Sequence, residues 1–228
     1  NSREKELQYI DLLYSHRVLG IVVCSHIGET MEHLDSNCPL ISFEREIAEN
    51  IPAVLCDNYQ GGILAANRLF DAGCRNIAIF NPPTKENIPA YSREKAFMKC
   101  CEDKKISGRV VYTDRLAPLS EEFSDNILKL LKKNSDLDGI FATSDVMAAN
   151  IIRACKKMGK RVPEDISIVG FDDTWISTLT YPSITTIHQP VQEMCEYAIE
   201  AIVKKVKSEK VPSQVVFPVE LIDRESTK

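Results

Sequence analysis

The sequence predicts an α/β fold of mostly parallel sheets flanked by helices, and three observations predict it. Short apolar runs recur at LGIVVC (19–24), PLISF (39–43), AVLC (53–56), NIAIF (76–80), RVVYT (109–113), GIFAT (139–143) and ISIVGF (166–171). Their near-continuous apolarity is what strands buried on both faces need. Between them lie longer segments with helical periodicity, at about 4–16, 60–72, 92–104, 121–133 and 145–158, and another from Pro190 to about Lys207. The regular alternation of the two is the pattern of βα units.

Local punctuation supports each boundary. Gly73 and Gly159 stand where helices need a C-terminal cap, Ser144 is placed to cap the helix it precedes, and Pro190 suits a first helical turn. Gly61 and Gly62, in DNYQGG, open a helix with no glycine loop before them. The phosphate-cradling G-x-G-x-x-G and G-x-x-x-x-G-K-[ST] patterns are therefore not formed, nor is there a G-x-S-x-G elbow. No Gly, Ser or Pro linker divides the chain, so two lobes would be joined by direct crossovers.

With 228 residues the chain can bury one large domain or two small lobes. Lys and Arg number 28 against 33 acids, a formal charge of -5, and the cations are scattered. This chain alone is a poor nucleic-acid binder. No apolar run approaches the roughly 18 residues of a membrane span, and NSREKELQYI is charged where a signal peptide would be apolar. A cytoplasmic protein with no membrane partner is expected. The eight cysteines show no C-x-x-C spacing; Cys24, Cys56, Cys155 and Cys195 sit singly in apolar segments and Cys100 adjoins Cys101, as buried, reduced thiols would. His26 and His33 lie near Cys24 and Cys38 at no metal-binding spacing, so they read as solvated loop residues, and neither a metal nor a cofactor is expected.

Ligands of open parallel sheets bind beyond the carboxyl ends of the strands. Those positions hold Ser25 and His26, Glu44 and Arg45, Asp57 and Asn58, Asn81, Asp114 and Arg115, Ser144 and Asp145, Asp172 and Asp173, and His188 and Gln189. Acids, Arg and amides dominate, a chemistry suited to hydroxyl recognition. Asp172 and Asp173 leave one strand together and admit three readings: an acid/base or metal pair, a ligand-facing Asp172 with Asp173 capping the next turn, or two caps. Adjacent strand residues point apart, which favours the second.

The run FATSDVMAANIIRACKKMGKRVPEDISIVGFDDT, followed by YPSITTIHQP and the closing LIDREST, resembles the effector-binding domain of bacterial transcription regulators of the lactose-repressor (LacI/GalR) family. AVLCDNYQGGILAANRLFDAGCRNIAIF resembles the same family further upstream, and the resemblance runs in order from about Ile10 to Lys228. It implies a two-lobed, periplasmic-binding-protein-like type I fold with three interlobe crossovers. One lobe would be 1–56 plus 190–217, lacking its first two strands, and the other 57–189 plus 218–228. It also implies an effector cleft, a homodimer, and operator DNA bound through an N-terminal helix-turn-helix absent from this chain. A sugar, sugar phosphate or similar metabolite would shift the relative orientation of the lobes. The rivals are a periplasmic or lipid-anchored sugar-binding protein of a transporter and a sugar-modifying enzyme.

Carried over position by position, the resemblance places ligand contacts at Glu44, Arg93, Asp172 and Gln189. Ser144 replaces a common asparagine, Ala96 a usual glycine, and Cys56 a frequent phenylalanine. Arg115 stands where many members carry a stacking aromatic. Two readings of it stay open: a cation favouring a phosphorylated or carboxylated ligand, or a side chain turned to solvent. Ser144 and Arg115 complete the expected ligand set.

Overall fold

A computed structural model of the chain describes residues 3–24, 38–83, 88 and 91–228. Ser25, His26 and His33 lie outside the described residues. In chain order the elements are α1 (Arg3–Ser15), β1 (Ile21–Val23), β2 (Leu40–Phe43), β3 (Ala53–Cys56), α2 (Asn58–Asp71), β4 (Asn76–Asn81), α3 (Tyr91–Lys104), β5 (Ser107–Tyr112) and α4 (Glu121–Lys133). There follow β6 (Gly139–Ala142), α5 (Asp145–Lys157), β7 (Ser167–Asp172), α6 (Trp175–Leu179), β8 (Thr185–His188), α7 (Val191–Val206), β9 (Gln214–Phe217) and β10 (Glu220–Ile222). The apolar runs and helical segments of the sequence become β1 to β7 and α1 to α5 and α7. Strands β8, β9 and β10 escape the apolar-run criterion because they are Thr-rich or half exposed, and α6 is too short to show a period.

The chain packs as two compact units, Asn1–Cys56 with Pro190–Phe217 and Asp57–Gln189 with Pro218–Lys228. In the first unit β1, β2, β3 and β9 lie side by side in that order, all parallel. Ile21, Leu40 and Ile51 form a small core there, with Leu13, Tyr14 and Val18 packed on it.

The second unit carries a six-stranded sheet in the order β10-β8-β7-β6-β4-β5, parallel except for β10 against β8. Strand β4 comes first in the chain; β5 pairs with one of its sides and β6 with the other. The direction of winding therefore reverses beside β4, which creates a topological switch point at the carboxyl ends of β4 and β6.

The period-two alternation of buried strands sends side chains to two cores. On one face Phe80, Ile140 and Ile168 pack with Phe123, Ile127 and Ile151 of α4 and α5. On the other, the rings of Phe97, Phe141 and Phe171 line up with centroids 5.8 and 6.3 Å apart. Ser144 caps α5, its Oγ accepting from the Met147 N–H at 3.2 Å, and Gly73 and Gly159 take the positive φ of 87° and 72° that end their helices.

The chain's last residues are woven into this sheet. Ser226 Oγ donates to the Ile168 carbonyl at 2.6 Å and accepts from the Thr185 N–H at 2.8 Å, while Thr185 and Thr227 hydroxyls meet at 2.9 Å. The closing R-x-S-T pattern is thus a buried hydrogen-bonded strap.

The eight cysteines do not all lie buried. Cys56, Cys74, Cys100, Cys101 and Cys155 are buried thiols, but Cys38 is half buried and Cys24 and Cys195 are exposed. Cys24 follows β1, the edge strand of its sheet among the described residues, and Cys195 shares the outer stripe of α7 with Val191, Ile199 and Val203. An apolar neighbourhood in sequence did not distinguish an inner from an outer face. Burial pushes the Cys101 thiol up to about 12 and Cys155 up to about 11, so these two stay protonated at neutral pH.

Ser226→Ala leaves the Thr185 N–H buried without that acceptor. It is expected to destabilise the second unit by about 1–3 kcal/mol, read by urea unfolding followed at Trp175, the chain's single tryptophan.

Candidate functional site

The residues at the carboxyl ends of the second unit's strands converge on the switch point. Asn81 ends β4 and Thr143 follows β6, and they are joined across it by a 3.2 Å hydrogen bond from Thr143 Oγ1 to Asn81 Oδ1. Arg93, in the first turn of α3, lies over this junction. Its Nε donates to Asn58 Oδ1 at 2.5 Å, its Nη1 donates to the Thr143 carbonyl at 3.1 Å, and its guanidinium sits 3.4 Å from the centre of the Phe171 ring. Only 7% of Arg93 is exposed, so its charge is shielded from water, and fixed dipoles and a ring face are among the groups that hold it.

This placement depends on how closely α2 and α3 pack. A Cβ on Gly62 would stand 2.3 Å from the Arg93 carbonyl oxygen and 2.9 Å from the Ala96 Cβ. Glycine at 62 and alanine at 96 let the first turn of α3 sit against α2, and so bring Arg93 to Asn58.

The two carboxylates of the pair take different partners. Asp172 accepts from Gln189 Nε2 at 2.6 Å. Asp173 accepts from Arg224 Nη2 at 2.6 Å and Ser177 Oγ at 3.2 Å on one oxygen, and meets His188 Nδ1 at 3.0 Å on the other. Both residues have positive φ, 104° and 53°, which turns the chain sharply at the strand end. The cap position of α6 belongs to Thr174, whose side chain makes no cap hydrogen bond; Asp173 instead ties this turn to β8 and to the segment after β10. Burial alone would raise the Asp173 carboxyl, but Arg224, His188 and Ser177 together hold it below the usual range.

Asp145 is fully buried behind this turn. One oxygen accepts from the Thr186 hydroxyl at 2.6 Å, the other from the Thr174 N–H at 2.6 Å and its hydroxyl at 3.0 Å. Burial still pushes its carboxyl up. It is a structural brace beneath the Asp172 turn.

Of the residues singled out from sequence, Arg93, Ser144, Asp172 and Gln189 lie at this edge of the second unit. Arg115 is exposed and its guanidinium donates to the Pro83 carbonyl. Glu44 belongs to the first unit, where with a φ of 52° it follows β2 and its carboxylate accepts from the Cys56 N–H at 2.5 Å. Sequence reading passed over Glu94, Tyr112, Thr143 and Phe171. Glu94 adjoins Arg93 and was hidden because it is drawn in by a helix, not by a strand end. Among the described residues no cluster of three or more His, Cys, Asp or Glu is arranged to hold a metal ion, and no helix is long and apolar enough to cross a membrane.

The model of a family described as a periplasmic binding protein-like domain matches residues 66–227. A ribose operon repressor of Halalkalibacterium halodurans is 32% identical over 226 residues, covering 99% of this chain and 67% of the relative. A sucrose operon repressor of Lactococcus lactis is 28% identical over 221 residues, 97% of this chain and 68% of its own length. The chain thus spans two thirds of the curated relatives it matches. Among solved structures, a periplasmic binding protein/LacI transcriptional regulator from Alkaliphilus metalliredigens, complexed with D-xylulofuranose, superposes with a TM-score of 0.86 at 33% identity, covering 100% of this chain and 84% of that one.

Gly62→Ala is expected to force α3 away from α2, costing about 1–3 kcal/mol in urea unfolding. Asp173 gives a pH signature. Its folded-state carboxyl is depressed, so its stabilisation is present above the ordinary aspartate value of about 3.9 and is lost as the pH falls through the lowered folded value. The stability gap between the parent and Asp173→Asn is expected to be constant above about pH 5 and to shrink steadily below pH 4, as followed by thermal melts across that range. Asp145 works the other way. Its stabilisation is complete below the ordinary value and declines as the pH rises through its raised folded value.

Proposed function

We infer the function of this chain from the family to which it belongs, the LacI/GalR-type regulators with a periplasmic binding protein-like effector domain: it is the effector-sensing domain of a sugar-operon repressor. The finer reading is that its effector is a neutral pentose. Arg93, Asp172 and Gln189 grip the ring hydroxyls, and Ser144 and Arg115 supply further polar contacts.

One observation carries this reading: a buried arginine, fixed by Asn58, Thr143 and Phe171, stands on the same strand-end edge as the Asp172–Gln189 pair. Such a set offers donors and acceptors in fixed directions, as sugar hydroxyls require. Its cation already faces two oxygen acceptors, and carboxylates flank it in sequence and along the edge, so a phosphate dianion gains little there. Arg115 donates to a backbone carbonyl in the exposed loop and adds no buried positive charge. The names of the relatives point the same way, since one regulates a ribose operon and another holds D-xylulofuranose.

In the whole protein we infer a cytoplasmic homodimer acting on operator DNA. Two-fold symmetry would match a palindromic operator. Effector control then needs only unequal affinity for two states, and a few kcal/mol of difference shifts their populations decisively.

Calorimetry with D-ribose, D-xylulose, sucrose and D-ribose 5-phosphate tests the reading. A pentose is expected to bind and its phosphate to bind at least tenfold more weakly. Arg93→Ala and Asp172→Ala are each expected to weaken pentose binding by about 10- to 100-fold, the loss of one charge-assisted hydrogen-bonding group. Unchanged affinity in both variants would overturn the assignment of the site.

A further inference from the structure

Beside Arg93 lies a buried acid to which the reading above gives no role. Glu94 is 6% exposed, in the first turn of α3, where the helix dipole favours negative charge. Its Oε2 accepts from Asn81 Nδ2 at 3.0 Å and its Oε1 accepts from the Tyr112 hydroxyl at 2.9 Å. It therefore clamps the ends of β4 and β5 to α3.

The chemistry of the clamp has a direction. Both oxygens of Glu94 serve as acceptors, one for an amide and one for a phenol. Facing Glu94, the Asn81 amide must turn its NH2 toward the acid, which leaves its carbonyl oxygen toward Thr143. Thr143 must then donate its hydroxyl to Asn81. The Thr143 carbonyl in turn receives Arg93 Nη1. Every hydrogen bond from Tyr112 to Thr143 takes its polarity from this one acid. The phenol records the contact as well: the hydrogen bond to Glu94, ahead of burial, pushes Tyr112 above the ordinary tyrosine value.

We propose that Glu94 is a positioning residue of the effector site, a buried carboxylate that sets the orientation of the Asn81 amide and, through Thr143, the seat of the Arg93 guanidinium. This rests on the assignment of Arg93 to effector binding. Glutamine at 94 has nearly the same shape but brings a donor. The Asn81 amide is then free to flip and present its NH2 to Thr143, which reverses the hydroxyl and loosens the junction under Arg93. If polarity is the cause, it can be restored elsewhere. In Asn81→Asp combined with Glu94→Gln, the new amide donates to the new carboxylate, which again accepts from Thr143, while Tyr112 still finds an acceptor oxygen at 94.

The test compares the parent chain, Glu94→Gln and the double variant by two readouts. The first is hydrogen exchange of the Arg93 Nε–H, followed by NMR of 15N-labelled protein. The second is D-ribose affinity by calorimetry. Glu94→Gln is expected to speed exchange and weaken D-ribose binding by tenfold or more, and the double variant to bring both back to within about threefold of the parent. A role in bulk stability alone predicts no such rescue, because the double variant changes two buried residues. Unchanged exchange in Glu94→Gln, or a double variant no better than the single, would overturn the proposal. Should the parent chain fail to bind D-ribose, the pentose reading falls, while the exchange measurement still decides the role of Glu94.

Discussion

The site hangs on a desolvated guanidinium. Arg93 has been drawn out of water and onto Asn58, the Thr143 carbonyl and the Phe171 ring, and each of these comes from a different element of the second unit. A buried cation without such partners would be strongly unfavourable. Helix α2, strands β6 and β7 and helix α3 must therefore keep their mutual positions. The tight α2–α3 packing over Gly62 and the row of phenylalanines between α3 and the sheet are the apolar means to that polar end. Polar geometry specifies where the elements sit, while the burial behind it supplies the energy.

The same unit solves a second problem at the opposite end of its sequence. Its last eleven residues return from the other unit and must be fixed on a sheet that the chain has already left. Strand β10 pairs antiparallel to β8, Arg224 reaches Asp173, and Ser226 bridges Ile168 and Thr185. Asp173, His188 and Arg224 consequently join the turn that carries Asp172, the strand that leads to Gln189, and the returning segment. Two neighbouring carboxylates thus hold different partners, one a glutamine amide on the recognition edge and the other an arginine in the strap.

Much of this was legible from residue order. Buried parallel strands announce themselves as apolar runs, helix ends by Ser144, Gly73 and Gly159, and strand-end chemistry follows once the sheet is parallel. That logic places Asn58, Asn81, Asp172 and Gln189 at or just past strand ends, where they also lie in the folded chain. It missed Glu94 and Tyr112, since a helix residue and a strand residue that face each other across 18 positions leave no periodic trace. It also overstated cysteine burial, because Cys195 occupies the outer stripe of an amphipathic helix whose inner stripe holds Met194, Ala198 and Ala201.

By itself the sequence determined the class of fold, the order of its βα units, its kinship with LacI/GalR regulators and the kind of polar groups at its strand ends. Those properties are local or additive: period, cap and composition are written in neighbouring residues. Only the tertiary structure decided which of the polar groups meet. The switch point beside β4 exists because β5 and β6 pair with opposite sides of one strand, and there Asn81 and Tyr112 both donate to Glu94, an acid brought in by a helix. Pairing and polarity belong to contacts between distant residues, and such contacts come into being only when the chain has folded.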